Sequence, residues 1–381
     1  MTQSRCTPGT PAAEPILWLG APSPGALILP AANPTPSHLY GPRGVWIGDH
    51  CLIAADTGNH RLLIWRSEPD ELRDGQAADV VLGQPDFLSE GPNAGGRSLE
   101  RGLYMPTGVM VVGGRLYVAD SWNHRVVWWE QIPERSFTPP DGVIGQPDLR
   151  SNAVNRNCQP SATSLYWPYG IGWVNDTFYI ADTGNRRVLG WNHLPSSEQP
   201  ASLVLGQPTL QDNRENRGGA PAADSFRWPH AIAGSSTLLL LADGGNHRVL
   251  GWSPPPLRDQ PASLVLGQPD FMRTDEFPYV ASGAQRLRFP YGVSGDERLL
   301  AVADTANNRI LLWRNLPASG AFLAASAVLG QEDFTGFGEN RWQAVRHDTL
   351  CWPYGIHLHR HWLAVADSGN NRVMVWKVNI E

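Results

Sequence analysis

Lysine is almost missing from this chain of 381 residues. Lys377 is the only one, so arginine carries nearly all of the positive charge. The net charge of −6 argues against nucleic acid or an anionic membrane as the default partner. The four cysteines, Cys6, Cys51, Cys158 and Cys351, form no Cys-x-x-Cys pair. This pattern predicts reduced thiols rather than a disulfide framework or a zinc knuckle.

Long apolar runs and targeting signals are also missing. No stretch approaches the roughly 18 apolar residues that a membrane span needs. The first fifteen residues lack a basic start followed by an apolar core, so we expect no signal peptide and a soluble, cytoplasmic protein. No phosphate-binding glycine loop, Ser-His-Asp order or dinucleotide fingerprint occurs, and no cofactor is expected.

What the chain does have is a motif, Asp-x-x-Asn-x-Arg, that returns six times at spacings of 61 to 64 residues. A fixed period means that one structural unit is copied and stacked. Because the motif occurs in every unit, we interpret it as structural rather than catalytic: its Asp and Asn suit a tight turn, and its Arg can pair with a carboxylate. The six aspartates are Asp56, Asp120, Asp182, Asp243, Asp304 and Asp367.

Each unit contains four short strands, as expected for one blade of a β-propeller. The outermost strand ends in Leu-Gly-Gln-Pro in most copies, but the sixth copy is missing after Trp376. Its counterpart is the N-terminal segment from Leu17 to Pro22, which predicts that this strand pairs into the last blade and closes the ring. We therefore predict an all-β, six-bladed propeller with four antiparallel strands per blade. Residues 1–14 are expected as a flexible tail, and residues 15–381 as a single domain.

The residues from Leu116 to Val126, Leu-Tyr-Val-Ala-Asp-x-x-Asn-His-Arg-Val, follow a Pro-x-Gly-Val opening. Repeated six times, this pattern resembles the NHL-repeat family of six-bladed propellers over residues 15 to 380. The resemblance implies the fold. For function it implies several possibilities, since similar proteins include protein scaffolds, RNA binders and a few enzymes.

Between the last strand of one blade and the first strand of the next lie five segments of identical length, each of 18 residues. Long ordered loops on a rigid scaffold are common binding elements. We call them the collar and expect them on the same face as the Asp-x-x-Asn-x-Arg turns, around one mouth of the central channel. The collar comprises residues 88–105, 150–167, 211–228, 272–289 and 335–352.

The residue that follows each blade-opening proline differs from blade to blade, as a binding site requires. We call these six residues the channel ring and predict a ligand site there. Arg43 and His230 are expected to face each other across the axis, with tyrosines between them, in a site suited to an anion or carboxylate. The alternative is that the tyrosines only plug the channel. The ring consists of Arg43, Thr107, Tyr169, His230, Tyr291 and Tyr354.

Two groups of residues suggest a metal site, but no metal is expected. The amidating lyases that cleave peptidyl-hydroxyglycine have similar propellers, and the resemblance implies a zinc ligand at His230. No other blade has histidine at that place, and one imidazole is too few for a three-ligand zinc site. A second group lies in the last blade, but its members are expected at opposite ends of the channel. They are His347, Cys351, His357, His359 and His361.

We therefore predict a non-enzymatic scaffold that presents the collar and the channel mouth to a protein, a peptide or a small anionic ligand. A hydrolase or lyase with His230 as acid or base at the channel mouth is the first alternative. Single-stranded RNA binding on the collar is the second, because arginines and aromatic residues alternate there. No catalytic residue is assigned.

Overall fold

The computed structural model describes residues 12–20 and 33–379. It contains six sheets, and the innermost strand of each sheet contacts those of the two neighbouring sheets, so that the ring encloses a central channel. Each sheet has four antiparallel strands, and one sheet has a fifth, parallel strand. The predicted all-β, six-bladed propeller is confirmed.

The strands follow one another outward from the axis in every blade. Blade one contains β2 (Gly44–Ile47), β3 (Leu52–Asp56), β4 (Arg61–Trp65) and β5 (Val80–Leu82), and blade two contains β6 (Pro106–Val112), β7 (Arg115–Asp120), β8 (Arg125–Trp129) and β9 (Gly142–Ile144). Blade three contains β10 (Pro168–Val174), β11 (Thr177–Asp182), β12 (Arg187–Trp191) and β13 (Leu203–Leu205), and blade four contains β14 (Pro229–Gly234), β15 (Leu239–Asp243), β16 (Arg248–Trp252) and β17 (Leu264–Leu266). Blade five contains β18 (Pro290–Gly295), β19 (Leu299–Asp304), β20 (Arg309–Arg314) and β22 (Ala327–Leu329), and blade six contains β23 (Pro353–His359), β24 (Trp362–Asp367) and β25 (Arg372–Val378).

One strand lies outside this scheme. The two residues of β21 (Gly320–Ala321), which belong to the chain of blade five, pair in parallel with β17 of blade four. They cover the outer edge of blade four, which would otherwise present unpaired backbone groups.

The N-terminal strand β1 (Ala13–Gly20) completes blade six by pairing antiparallel with β25, from Ala13 opposite Val378 to Gly20 opposite Arg372. The predicted ring closure is confirmed. The end of the predicted closing segment, residues 21 and 22, lies outside the described residues, as do residues 1–11 of the expected tail. Residues 13 and 14 are paired in β1 rather than belonging to that tail.

The core lies between neighbouring blades. Six clusters of buried residues each draw on two adjacent sheets; Trp65 of blade one, for example, packs with Trp362 and Val373 of blade six. The tryptophan that ends the third strand is buried in every blade. The repeating tryptophans therefore pack the blades together, as large apolar rings at one strand position indicate.

The Asp-x-x-Asn-x-Arg motif forms a buried clamp, shown here for blade three. Asp182 accepts hydrogen bonds from Asn185 and Arg187 at 2.8 Å each, and from the backbone of Tyr166 at 2.8 Å. The Arg187 guanidinium also donates to the backbone carbonyl of Ser164, in the collar. Since the guanidinium bonds Asp182 and three backbone carbonyls, the motif is a structural clamp that ties a blade to the collar.

In four of the six blades, the asparagine of the clamp also bonds the side-chain amide of a collar asparagine. Asn185 donates to Asn155 Oδ1 at 2.8 Å, and Asn155 lies in a short helical turn at residues 154–157. Asn93, Asn216 and Asn340 occupy the same place in their segments. The collar is therefore held on the face of the Asp-x-x-Asn-x-Arg turns, where it was predicted.

The inner strands approach one another most closely at the glycine of the Pro-x-Gly openings. A Cβ atom on Gly170 would lie 2.0 Å from the carbonyl oxygen of His230, and one on Gly44 would lie 1.6 Å from that of Thr107. No side chain fits at these distances, so glycine allows the first strands to converge on the axis. Blade four differs, since it has Ala231 at this place.

Candidate binding site in the central channel

Five of the six residues of the predicted channel ring come together at the collar end of the channel. The Tyr169 ring lies 4.4 Å from that of His230, and the His230 ring lies 4.1 Å from that of Tyr291. Tyr291 in turn stacks in parallel on Tyr354 with ring centres 5.0 Å apart, and the Arg43 guanidinium lies 4.8 Å above the Tyr354 ring. The rings thus pack against one another as a plug, and Arg43 is part of it.

Thr107 does not join this group. It is buried, its hydroxyl donates to the backbone carbonyl of Tyr169 at 2.8 Å, and it lies 2.6 Å from the hydroxyl of Ser121. Its hydroxyl therefore links blade two to blade three instead of facing the channel. A small side chain at this place supports the scaffold and is unsuited to reach a ligand.

His230 is held in one tautomer by the backbone. Its Nδ1 lies 2.7 Å from the carbonyl oxygen of Trp228, so Nδ1 carries the hydrogen and Nε2 is an acceptor. Burial lowers the pKa of His230 to about 3, which keeps the ring neutral at physiological pH. A neutral imidazole with a free lone pair is a hydrogen-bond acceptor or a weak base.

The conformation of Trp228 makes this hydrogen bond available. In the other five blades, the residue before the opening proline has a positive φ, as at Trp167, where φ is 52°, and at Phe289, where φ is 49°. Trp228 does not have a positive φ, and its N–H points to Asp243 at 3.3 Å. Blade four is therefore the blade in which the residue before the opening proline has a different backbone conformation. This difference lets the Trp228 carbonyl accept the hydrogen bond from His230 Nδ1.

Arg43 carries a charge without a carboxylate partner among the described residues. It is half-buried, and its nearest neighbours are aromatic. Burial opposes the charge, but the three tyrosine oxygens more than offset burial, and the pKa of Arg43 is raised above its ordinary value. Burial also raises the pKa of Tyr291 to about 12, so this phenol remains a neutral donor.

Below the plug lies a cavity of ≈ 330 Å³ on the axis of the propeller. Arg43, Tyr169, His230 and Tyr291 line its collar end. Towards the other end its wall is formed by residues four or five places after the opening prolines, a set that the sequence reasoning missed. Strand alternation turns every second residue of an inner strand to the channel, but the register shifts after the opening prolines, as between Pro106 and Val109, so alternation counted from the channel ring misses most of them. This set includes Trp46, Met110, Trp173, Ala233, Ser294 and His357.

His357 adds a polar group of opposite character to His230. Its Nδ1 accepts a hydrogen bond from the backbone N–H of Ile47 at 3.2 Å, which leaves Nε2–H as a donor. Burial lowers the pKa of His357 to about 4. The cavity therefore contains one imidazole acceptor, one imidazole donor and one guanidinium.

The histidine group of the last blade is divided, as expected. His347 packs on Trp18 with ring centres 4.1 Å apart, whereas His359 bonds Asp49 at 2.7 Å near the opposite channel end. His361 packs against Trp362. Within residues 12–20 and 33–379, no three histidine, cysteine or acidic residues are grouped so that they could hold a metal ion. Cys51, Cys158 and Cys351 are free thiols, and Cys6 lies outside the described residues.

The collar forms a second surface of interest. Apart from Ile16 and Leu257, every large apolar side chain that is exposed in the described residues lies on the collar or the adjoining turns. Trp342 is 73% exposed and Tyr279 is 88% exposed. They belong to segments that meet through Phe277 and Phe337, whose rings are 4.6 Å apart. The remaining members of the exposed set are Tyr40, Leu88, Trp122, Val154, Tyr166, Met272 and Trp352.

Comparison with known proteins points to one family. The family model of the NHL repeat matches residues 103–129, which include β6, β7 and the clamp of blade two. The chain contains an NHL repeat there and is similar to NHL-repeat proteins. NHL repeat-containing protein 2 of Homo sapiens is 26% identical to it over 348 residues, covering 85% of this chain and 44% of the relative. The protein of the same name from Gallus gallus is 27% identical over 351 residues, covering 85% and 44% respectively.

The chain thus spans less than half the length of the curated relatives that it matches. Among solved structures, a chain of hydrazine synthase from Kuenenia stuttgartiensis is similar with a TM-score of 0.50 and 12% identity, covering 93% of this chain and 98% of that one. Virginiamycin B lyase from Staphylococcus aureus gives a TM-score of 0.44 and 9% identity, covering 89% and 95%. These structural similarities concern the fold. No helix in the described parts of the chain is long and apolar enough to cross a membrane.

Proposed function

We propose that this propeller is a non-enzymatic scaffold that binds a protein or peptide partner on its collar. The observation that carries the proposal is the concentration of exposed apolar side chains on that one face. Contiguous exposed apolar surface with a polar rim is typical of protein interaction sites. The opposite face has Leu257 as its exposed large apolar residue among the described ones.

The proposed contact centre is the edge formed by residues 272–289 and 335–352. A cleft of ≈ 240 Å³ is lined by Phe337 and Trp342, with Glu332 and Asp333 beside it. Large aromatic residues at a cleft are typical interaction hot spots. The two exposed carboxylates favour a partner segment that presents an apolar side chain next to a basic one.

The charge distribution favours a protein over RNA. Eight of the twelve collar arginines are paired with acidic neighbours: Arg156 with Glu198 at 2.7 Å and Arg341 with Asp348 at 2.8 Å, for example. Such pairs leave little free positive charge for phosphate contacts. Further pairs involve Arg150, Arg217, Arg227, Arg286 and Arg288.

Site-directed photo-crosslinking in the native host tests the proposal. A photoreactive phenylalanine analogue is placed at Trp342 or Tyr279, and at Leu257 as the matched control, because Leu257 is 87% exposed but on the opposite face. We expect a defined protein adduct from the collar positions and none from position 257.

The combined substitution Trp342→Ala and Tyr279→Ala is expected to weaken capture of that partner about tenfold or more. Leu257→Ala should leave capture unchanged. Adducts that form equally from both faces would contradict the proposal. Recovery of RNA from the collar positions, with a steep dependence on salt, would favour the RNA alternative instead.

A further inference from the structure

Arg43 differs from the other buried arginines of this protein. Each of the six clamp arginines bonds an aspartate at 3.0 Å or less. Arg43 is half-buried beside a cavity, and no described carboxylate lies within ion-pair distance of it. Within the described residues its charge is balanced by tyrosine oxygens and by no carboxylate. The guanidinium therefore remains available to a carboxylate from outside the chain.

We propose that the central cavity binds a small amphipathic carboxylate, with the carboxylate at Arg43 and the apolar body against Trp46 and Trp173. A guanidinium offers a carboxylate two parallel hydrogen bonds. The site is separate from the collar, so it does not depend on the proposed partner.

The cavity matches such a ligand in size and lining. Its volume of ≈ 330 Å³ lies at the lower end of ordinary small-molecule sites. Below Arg43 the apolar side chains of Met110, Ile232 and Val293 lie beside the two tryptophans, while polar groups form a comparable share of the wall. Apolar rings below one cation favour a ligand that has an apolar body and is charged at one end only.

The polar groups of the cavity are placed to orient the ligand. The Nε2 atoms of His230 and His357 have no hydrogen-bond partner among the described residues, one being an acceptor and the other a donor. The hydroxyl of Tyr169 is buried at the Arg43 end, where it interacts with the guanidinium. Neutral donors around one guanidinium suit a monoanion better than a phosphate dianion.

The only acidic residue among the described residues of the lining is too far from Arg43 to repel a carboxylate bound there. Asp296 lies at the far end of the cavity, and its Oδ1 accepts the backbone N–H groups of Arg298 and Leu299 at 2.9 and 3.2 Å. The Asp296 carboxylate is thus neutralised in part by the N–H groups of its own turn, at the end of the cavity away from Arg43. The field at the collar end of the cavity remains positive.

Titration calorimetry of the full chain with phenylacetate tests the proposal, with phenylacetamide and inorganic phosphate as comparison probes. We expect phenylacetate to bind with a Kd of about 1 mM or tighter, which suits a ligand of this size. Phenylacetamide and phosphate should bind at least about tenfold more weakly, since the first lacks the charge and the second lacks the apolar body.

Arg43→Gln should reduce phenylacetate affinity about tenfold or more, and Arg101→Gln, an exposed collar arginine, should leave it unchanged. A crystal of the wild-type protein grown with 4-bromobenzoate provides a readout that does not depend on variant stability. The bromine should lie in the cavity beside Trp46 or Trp173. Absence of binding, equal binding of phenylacetamide, or a bromine located only outside the cavity would each overturn the proposal.

Discussion

The Nδ1 atom of His124 accepts a hydrogen bond from the backbone N–H of Trp167, 3.2 Å away, and thereby ties blade two to blade three. His124 follows the Asp-x-x-Asn turn in a left-handed conformation, and Trp167 directly precedes the opening proline of the next blade. The same latch recurs between other blades, with histidine or asparagine as the acceptor. The remaining latches join His60 to Met105, His247 to Phe289, Asn308 to Trp352, and Asn371 to Gly41.

The first prediction concerns acid stability. Burial lowers the pKa of His124 to about 4, and burial also lowers the pKa of His60. Because unfolded histidine titrates near pH ~6.5, the unfolded chain takes up these protons first. The free energy of unfolding should be constant above about pH 7 and fall as the pH drops from about 6.5 towards 4.

The double substitution His60→Asn and His124→Asn should remove part of this loss, since asparagine already serves as the acceptor at Asn308, 2.8 Å from its partner. Between pH 7.5 and 4.5 the variant should lose about 2 kcal/mol less than the wild type, after allowance for partial exposure. Denaturant unfolding across this range measures the difference. Asn308→His should act in the opposite direction, and identical acid profiles for all three proteins would contradict the mechanism.

The second prediction follows from blade three, where the latch position holds Arg186, which cannot accept a hydrogen bond. Arg186→His should create the missing latch to Trp228 and draw this residue towards the left-handed conformation of its counterparts. His230 would then lose its carbonyl partner. Nitrogen chemical shifts should show His230 leaving the Nδ1–H tautomer, with His357 unchanged as the internal control.

The third prediction concerns the clamp. Arg187→Gln leaves Asp182 buried without its cation, so the free energy of unfolding should fall by about 3–5 kcal/mol. Hydrogen exchange of residues 150–167 should also increase, because Arg187 holds the carbonyls of Ser161 and Ser164. The exposed Arg150, 3.4 Å from Glu100, is the matched control, and its change to Gln should cost less than about 1 kcal/mol. If both variants lost a comparable free energy of unfolding, the buried clamp would contribute no more to stability than an exposed ion pair.

The fourth prediction tests the crowding at the axis. Gly170→Ala places a methyl group 2.0 Å from the His230 carbonyl oxygen, which is backbone and cannot move alone. We expect a loss of about 2 kcal/mol or more, together with a displaced His230 ring. Gly190→Ala is the control, since its nearest neighbour is the flexible Leu203 side chain at 3.1 Å. Thermal unfolding of both variants compares them.

Most of the architecture could be predicted because it depends on copied residues. The clamp at Asp182 and Arg187, the tryptophans and the closing strand each occur with a fixed period, and a period specifies how units stack. The start of β1 at Ala13 was not predicted, because backbone pairing at a strand end depends on the partner strand and leaves no pattern in the sequence.

The candidate site was predicted in part. Arg43, Tyr169 and His230 were found because they differ between otherwise similar blades. The cavity below them was not predicted, since its size depends on how far the rings fill the axis. The role of Trp228 was also missed, because it results from a backbone conformation in one blade only.

The closure of blade six by β1 also bears on synthesis. Strand β1 leaves the ribosome before every other described strand, yet its partner β25 is the last described strand in chain order. Blades one to five can each assemble as soon as their own strands have emerged, whereas β1 must wait, unpaired, for almost the whole chain. A chain that ends before β25 would therefore leave β1 without its partner and the edge of blade six open.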